Sequence, residues 1–342
     1  MSLASQQATV DSQPDPPARG GRARFVGKRA IGALFTLAFV LVFNFFLFRV
    51  VQTDPVANMF RGRNIPAERL EQLRTEFGID QPLPTQFVLY LRETSRLNLG
   101  ISYQSRRPVW EEIQTRMPAT VLLVGTSAIL SALIGTAAGV AAAWRRNSKT
   151  DYSITSSTMV FYSMPDFWLG MLLLMVFAVS LGWFPVGGLI DAGSTATGLD
   201  RLLDQLHHLV LPASTLTLAY LGEYALVTRS SLLDVMGEDY LTVARAKGLR
   251  DSVVRNRHAV PNALLPVVTL AAINFGFVLS GAIAVEALFS WPGLGKATAD
   301  AIRGPDLPML QGLFLVFSTA VIIFNLLADI AYTLLDPRVE GT

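Results

Sequence analysis

Long runs of apolar residues, separated by shorter polar segments, recur along the chain. Six runs reach the roughly 18 to 20 residues that a helix needs to cross the hydrocarbon core of a membrane. Each must be helical, because a strand or loop open to lipid would leave backbone groups without hydrogen bonds. The pattern predicts an all-α polytopic membrane protein with six transmembrane helices, at approximately Ala30–Phe48, Ala119–Trp144, Tyr152–Leu181, Leu209–Thr228, Ala259–Leu288 and Leu307–Leu335.

Composition supports lipid as the main solvent of this chain. Of its 342 residues 51% are hydrophobic and 16% are charged, whereas about 25% of residues are charged in soluble proteins. The absence of cysteine excludes disulfides, thiolate metal sites and a cysteine nucleophile. A net charge of +2 gives no global attraction to nucleic acid, so no nucleic-acid partner is expected.

The predicted helices divide the chain into four parts. Residues 1–29 are rich in Ser, Gln, Pro, Gly and Arg and are expected to form a disordered cytoplasmic tail. Residues 30–50 form the first transmembrane helix. Residues 51–117 form an extracytoplasmic segment of short helices, which is either a lid on the outer face or a packed loop. Residues 118–342 form the rest of the transmembrane part.

The positions of the basic residues predict the orientation of the helices. With the amino terminus inside, fifteen Lys and Arg residues fall on the short inner segments and three fall on the short outer loops. Ten more lie between Arg49 and Arg116, in a segment long enough to cross the membrane regardless of its charge. Both termini are therefore expected in the cytoplasm.

The inner segment from Arg229 to Pro261, named the basic segment here, has the most informative pattern. Residues 237–239 offer a helix start, Tyr240–Lys247 a short helix and Gly248 a stop, before a basic run leads into the next span. Composition alone also fits an interfacial basic helix that follows the positive-inside rule.

The run Asp239-Tyr240-Leu241-Thr242-Val243-Ala244-Arg245-Ala246-Lys247-Gly248 resembles the cytoplasmic coupling segment of ABC-importer permeases. Its form is similar to that of the B-type membrane subunits of dipeptide, oligopeptide and nickel systems. Thr242 and His258 stand where the general pattern has Glu and Ile, whereas Pro261 keeps the expected spacing. Further stretches match the same subunit in the same order, namely Phe77–Pro84, His208–Pro212, Trp291–Gly295 preceded by Glu286, and Leu335–Arg338.

The resemblance covers nearly the whole chain and implies a fold of the ABC-importer permease type in the bacterial cytoplasmic membrane. It implies import of short peptides by alternating access, together with a second homologous permease subunit, two ATP-binding subunits and an extracytoplasmic solute-binding protein. This chain would bind no cofactor, since ATP and Mg²⁺ would belong to the ATP-binding subunits. The residues that would couple to those subunits are Asp239, Tyr240, Ala244, Arg245, Ala246, Lys247, Gly248 and Pro261.

Transport by this chain would have to be driven by ATP hydrolysis on partner subunits, because the chain has no phosphate-binding loop. Gly293-Leu294-Gly295-Lys296 is superficially similar to one, yet no glycine stands five residues before Gly295. Ala297 also replaces the Ser or Thr that would bind Mg²⁺.

A permease for nickel or another small solute is the alternative within this class, and a passive channel or an intramembrane enzyme is the alternative outside it. The coupling segment argues against a passive channel, because a channel needs no surface on which an ATP-binding subunit docks. The enzyme motifs His-Glu-x-x-His and Gly-x-Ser-x-Gly do not occur. His207 and His208 are adjacent and would point about 100° apart on a helix, so they make a poor metal pair; hydrogen-bonded interfacial histidines are expected instead.

Two acidic residues, Asp166 and Glu223, fall within otherwise uncharged spans, where a charge costs about 2.5 to 3.5 kcal/mol. In a straight helix Asp166 would lie about 22 Å beyond Asp151, past the membrane midplane. Both acids are predicted to line the substrate path. The alternative is structural: Asp166 would accept hydrogen bonds from the turn opened by Pro165, and Glu223 would be reached by water from the inner surface.

Overall fold

The computed structural model describes residues 20–51, 66, 68, 72 and 81–335 and shows a helical protein. Most of the predicted tail and of the 51–80 region, as well as residues 336–342, lie outside the described residues. The helices are α1 Gly20–Val51, α2 Leu83–Ser95, α3 Val109–Trp144, α4 Lys149–Ser163, α5 Asp166–Leu173 with the π-helix Leu174–Ser180, α6 Gly198–Met236, α7 Asp239–Ala246, α8 Asp251–Val253 with the π-helix Val254–Ala259, α9 Val260–Ala263, α10 Leu265–Leu288, α11 Leu294–Arg303 and α12 Leu307–Leu335.

Among the residues that the structure describes, four helices are long and apolar enough to cross a membrane, over Val26–Arg49, Val109–Trp144, Gly198–Met236 and Leu307–Ile330. The pair α4 and α5 makes a fifth if it is counted as one broken span. The all-helical, polytopic architecture is thereby confirmed. Helix α10 lies within the fifth predicted span, but part of it falls outside the residues whose side chains the structure describes, so the count of six spans stays a prediction.

The third predicted span, Tyr152–Leu181, is not one straight helix, and that part of the prediction is wrong. Helix α4 ends at Ser163, α5 begins at Asp166, and the two are bent by 105°. Pro165 supplies no N–H and disfavours helical geometry in the residue before it. Met164 accordingly has extended backbone angles, with φ −85° and ψ 136°. The depth of about 22 Å predicted for Asp166 assumed a straight helix and does not hold.

Glycines bring the backbones of the central helices together. A Cβ atom on Gly135 or Gly139 of α3 would lie only 2.5 Å from a carbonyl oxygen of α6. A Cβ on Gly222, on the other side of α6, would lie 2.6 Å from the carbonyl oxygen of Thr158 in α4. Small residues at such spacing allow close contact between membrane helices. Helix α6 is therefore packed tightly between α3 and α4.

The connections between helices gather at two ends of the bundle. At one end, named the basic end, the indole N–H of Trp144 donates to Asp251 of the basic segment over 2.7 Å. At the opposite end, the 96–108 loop meets the α11–α12 connection through a 2.5 Å hydrogen bond from Ser102 to Asp306. The loop between α5 and α6 joins them there, since the N–H of Gly188 donates to the carbonyl of Phe289 over 2.9 Å.

A buried carboxylate organises the motif Trp291–Gly295 at the opposite end. Glu286 is fully buried and accepts hydrogen bonds from the hydroxyl of Thr120 at 2.6 Å and from the N–H of Lys296 at 3.0 Å. A Cβ on Gly293 would collide with the Glu286 carboxylate and with the Thr120 hydroxyl. The stretch that is superficially similar to a phosphate-binding loop thus binds a carboxylate of its own chain and joins α3, α10 and α11.

Candidate functional site

The short helix predicted in the basic segment is present as α7, Asp239–Ala246. Gly248 has a φ of +76°, in the left-handed region that glycine adopts without steric cost. Its N–H donates to the carbonyl of Arg245 at 2.9 Å, and the N–H of Leu249 donates to the carbonyl of Ala244 at 3.4 Å. These two bonds form a Schellman motif. The predicted stop at Gly248 is therefore confirmed.

One face of α7 is anchored in an apolar cluster at the basic end. Leu241 and Ala244 stand three residues apart, on one side of the helix, and both are buried. They pack with apolar residues from the ends of α3 and α6 and from the chain that leads into α10; the buried members of the cluster are Ala143, Leu232, Leu241, Ala244, Val254, Ala259 and Ala263. A movement of α7 would therefore be passed to α3 and α6.

The other face of α7 is exposed. Val243, an apolar residue, is 51% exposed, and Tyr240 is 39% exposed. Seven of the eight predicted coupling residues are exposed: Asp239, Tyr240, Arg245, Ala246, Lys247, Gly248 and Pro261. The eighth, Ala244, belongs to the buried face and holds the helix in place. The surface that results is short, partly apolar and basic.

Asn262 fixes this surface to the chain that follows it, and sequence reasoning did not identify it. Its side-chain N–H groups donate to the hydroxyl of Tyr240 and to the carbonyl of His258, both at 2.9 Å. Since Asn262 lies in α9, the tyrosine is held against the start of the next long helix. The sequence places Asn262 beside Pro261 but does not indicate that α7 folds back onto it.

An ion pair joins α4 to α6 near the basic end. The guanidinium of Arg229 donates to both oxygens of Asp151, with Nε–Oδ1 at 2.7 Å and Nη2–Oδ2 at 2.8 Å. The side chain of Asp151 is only 3% exposed, and it also accepts the N–H of Asn147 at 3.0 Å. Sequence reasoning used both residues only as markers of the inner membrane edge, because residues 78 positions apart show no pairing by pattern.

The two acids predicted for the substrate path occupy different settings. Asp166 opens α5 directly after the bend and accepts the N–H of Phe167 at 2.7 Å. Glu223, in α6, accepts a hydrogen bond from the amide of Asn274 in α10 at 2.8 Å. Both carboxylates lie within electrostatic range of the Tyr220 hydroxyl. The fold therefore brings α5, α6 and α10 together around a partly buried polar group.

The two adjacent histidines lie at the opposite end of the bundle. Nε2 of His207 lies 2.9 Å from the carbonyl oxygen of Trp183. Nδ1 of His208 lies 3.0 Å from the carbonyl oxygen of Asp204. The hydrogen-bonded state expected for both histidines is confirmed, and their rings lie nearly perpendicular, with an interplanar angle of 84°.

Comparison with protein families covers almost the whole chain. Residues 135–341 match the family described as "Binding-protein-dependent transport system inner membrane component". Residues 22–124 match the N-terminal family of membrane components of the same transport systems. The second match ends within α3, and the first begins later in that helix.

Several curated relatives are similar over their full length. The di/tripeptide transport system permease DppB of Pseudomonas aeruginosa is 38% identical, with 92% of this chain and 98% of that protein covered. The oligopeptide transport system permease AppB of Bacillus subtilis is 35% identical, with 93% and 99% covered. The glutathione transport system permease GsiC of Escherichia coli K12 is 38% identical, with 92% and 98% covered.

Among solved structures, a chain from inward-facing conformations of the MetNI methionine ABC transporter has a similar fold. The TM-score is 0.54 at 16% sequence identity, with 66% of this chain and 96% of that chain covered. At this identity the likeness concerns the fold alone.

Proposed function

Because the chain belongs to the family of inner-membrane components of binding-protein-dependent transport systems, we propose that it is the membrane subunit through which an ATP-driven importer moves short peptides. It is a non-catalytic ABC-importer permease, as the resemblance predicted. Peptide cargo is supported by the relatives, whose names specify di/tripeptides, oligopeptides and the tripeptide glutathione. A permease for nickel or another small solute is the alternative.

The proposed mechanism rests on one observation: α7 has one face buried in the bundle and one face exposed. The exposed face, with Tyr240, Val243 and Lys247, would sit in a cleft of an ATP-binding subunit. Closure of the two ATP-binding subunits would then move α7 as a rigid body. Because Leu241 and Ala244 pack against the ends of α3 and α6, the motion would reach the helices around Tyr220.

The proposed assembly contains a second, homologous permease subunit, two ATP-binding subunits that hold ATP and Mg²⁺, and a solute-binding protein. The ATP-binding subunits would dock at the basic end, in the cytoplasm, and the solute-binding protein at the opposite end. This chain would contribute six spans. The 51–117 segment would lie outside the membrane beside the binding protein, with residues 1–29 as a cytoplasmic tail.

The docking role can be tested with Val243→Glu, which puts a carboxylate on the exposed face without touching the buried anchor. In the reconstituted complex we expect at least a tenfold loss of affinity for the ATP-binding subunits, about 1.4 kcal/mol, because an interface would have to bury an unpaired charge. Co-purification, ATP hydrolysis and dipeptide uptake are the measurements. Thr195→Glu, at an exposed position of the opposite end, is the matched control. Normal affinity and uptake in Val243→Glu would exclude this surface as the docking site.

We also propose that Asp166 and Glu223 bind the amino group of a passing peptide. Neither carboxylate forms an ion pair with a described residue, and the partner of Glu223 is the neutral amide of Asn274. Two acids near Tyr220 therefore leave negative charge uncompensated in a membrane-embedded region, where charge is costly unless it serves a function. A cationic ammonium group would complement it.

The test compares Asp166→Asn and Glu223→Gln in uptake of peptides with free and with acetylated amino termini. We expect each variant to lose roughly tenfold in uptake of free peptides and to lose little for acetylated ones, since the attraction to the ammonium group is removed. Asp200→Asn, at an exposed position of α6, is the control. Equal effects on both kinds of peptide, or loss of assembled complex alone, would assign these acids a structural role.

A further inference from the structure

Three potential metal ligands meet at the opposite end of the bundle, outside the surfaces described above. Asp204 and His208 lie one turn apart on α6, and Asp191 reaches them from the loop between α5 and α6. One imidazole nitrogen and one oxygen from each carboxylate all lie within 4.8 Å of one another. The side chains of His207 and His208 diverge, whereas the ligand atoms of Asp191, Asp204 and His208 lie close together.

The imidazole of His208 is buried and held in one orientation. Its side chain is 2% exposed, and Nδ1 lies 3.0 Å from both the carbonyl oxygen and the Oδ1 atom of Asp204. The carbonyl oxygen is the hydrogen-bond partner of Nδ1, and because a carbonyl can only accept, the proton lies on Nδ1. In the neutral ring the lone pair then belongs to Nε2. Histidines that bind metals normally donate their other N–H to a carboxylate or a backbone carbonyl in this manner.

Nε2 faces a second carboxylate across a gap. It lies 3.7 Å from Oδ1 of Asp191, which is too long for a hydrogen bond. Two ligands of a tetrahedral zinc ion, each at about 2.0 to 2.1 Å, are separated by roughly 3.4 Å. The spacing therefore suits a cation between the two atoms, after an adjustment of a few tenths of an ångström.

The loop that supplies Asp191 is fixed before any cation binds. The backbone N–H of Asp191 donates to the carboxylate of Asp204, at 3.1 and 3.3 Å to its two oxygens. Three residues earlier, Gly188 has a φ of +94° and is hydrogen-bonded to Phe289. The Asp191 side chain is 79% exposed, so a cation can enter from water.

We propose that Asp191, Asp204 and His208 bind one zinc ion, with water as the remaining ligand. An imidazole and two carboxylates form a mixed N/O donor set that suits zinc and is less suited to Mg²⁺ or Ca²⁺, which prefer oxygen ligands throughout. Bound zinc would fasten the α5–α6 loop to the first turns of α6. Neither the transport function nor the coupling surface is needed for this assignment.

The experiment measures zinc in the intact complex, purified without a histidine tag, stripped with EDTA and dialysed against zinc. We expect the wild type to hold one zinc ion more per copy of this chain than Asp191→Asn or His208→Gln, with an affinity loss of at least tenfold. Asp191→Asn alters an exposed side chain and leaves the backbone bond to Asp204 in place. Cobalt substituted for zinc should give a ligand-field spectrum that both variants lack.

His207→Gln is the matched control, because His207 is the neighbouring histidine and bonds to Trp183 instead. It should bind as much zinc as the wild type, and zinc should raise the Tm of both but not that of Asp191→Asn. Equal zinc binding by wild type and Asp191→Asn would overturn the proposal. Equal losses in His207→Gln and His208→Gln would also overturn it.

Discussion

Gly248 has a backbone conformation that other residues adopt only at a cost, and the proposed docking face of α7 ends beside it. Its φ of +76° ends α7 and turns the chain towards α8. We expect Gly248→Ala to cost about 1 to 2 kcal/mol, since a Cβ atom is unfavourable in the left-handed region. The C-terminal end of α7 would be less well fixed, and the number of peptides transported per ATP hydrolysed should fall in reconstituted complexes. The fall should be roughly tenfold if the whole free-energy cost destabilises the conformation that docks.

Gly237 provides the control for this variant, because it precedes α7 as Gly248 follows it. Its φ is −80°, and a Cβ there would meet only the Asp234 carbonyl at an ordinary 3.4 Å. Gly237→Ala should therefore leave coupling unchanged. If both variants transported normally at normal levels of assembly, the left-handed stop would not be needed for coupling.

The role of a single residue could be predicted from the sequence where it depends only on its neighbours in the chain. The stop at Gly248 needs only a short polar helix followed by glycine, and both features are local. The burial of Glu286 could not be inferred in this way, because its partner Thr120 is 166 residues away in the chain. Ala244 was assigned to the coupling surface by resemblance, yet alanine fits a buried and an exposed position equally well, and the anchor is known only from the fold.

At the level of helices, the length of the apolar runs predicted most of the long helices. It did not predict the bend in the third span, where proline and packing act together. The sixth predicted span agrees with α12, and α3 and α6 extend well past the predicted ends because their polar flanks are also helical. Pro165 marks the place of the break in the third span. Its angle of 105° depends on how α4 and α5 pack on α6, which no local pattern encodes.

The ion pair between Asp151 and Arg229 gives a prediction about helix pairing. Arg229→Ala leaves a nearly buried carboxylate without its countercharge, which we expect to cost about 3 to 5 kcal/mol. The Tm of the purified complex should fall by roughly 5 to 10 °C. Arg229→Lys should recover part of this loss, because it keeps the charge but not the two-bond geometry.

Lys296→Ala serves as the comparison, since it removes a more exposed pair with Asp300 at a similar distance of 2.7 Å. That change should cost no more than about 1 kcal/mol. A Tm for Arg229→Ala as high as that of Lys296→Ala would mean that α4 and α6 are held by their glycine contact at Gly222 and not by the ion pair.

For the whole molecule, the orientation of the helices in the membrane determines on which side each proposed surface lies. The structure sets the 145–148 turn and the basic segment at one end, and the α5–α6 loop with the three zinc ligands at the other. Fifteen basic residues on the short inner segments against three on the short outer loops predict that the basic end lies in the cytoplasm. The coupling surface and the zinc site should therefore face opposite sides of the membrane.

Single cysteines in this cysteine-free chain can test the orientation directly. Lys149, Thr195 and Ser252 are exposed, so cysteines there should react without disturbing packing. Thr195→Cys should be labelled by an impermeant maleimide in intact cells with a permeable outer envelope, and Lys149→Cys and Ser252→Cys only after the inner membrane is opened. Labelling of position 149 or 252 in sealed cells would show that the predicted orientation is wrong. Helix α7 would then lie on the side of the membrane without ATP and could not couple transport to ATP hydrolysis.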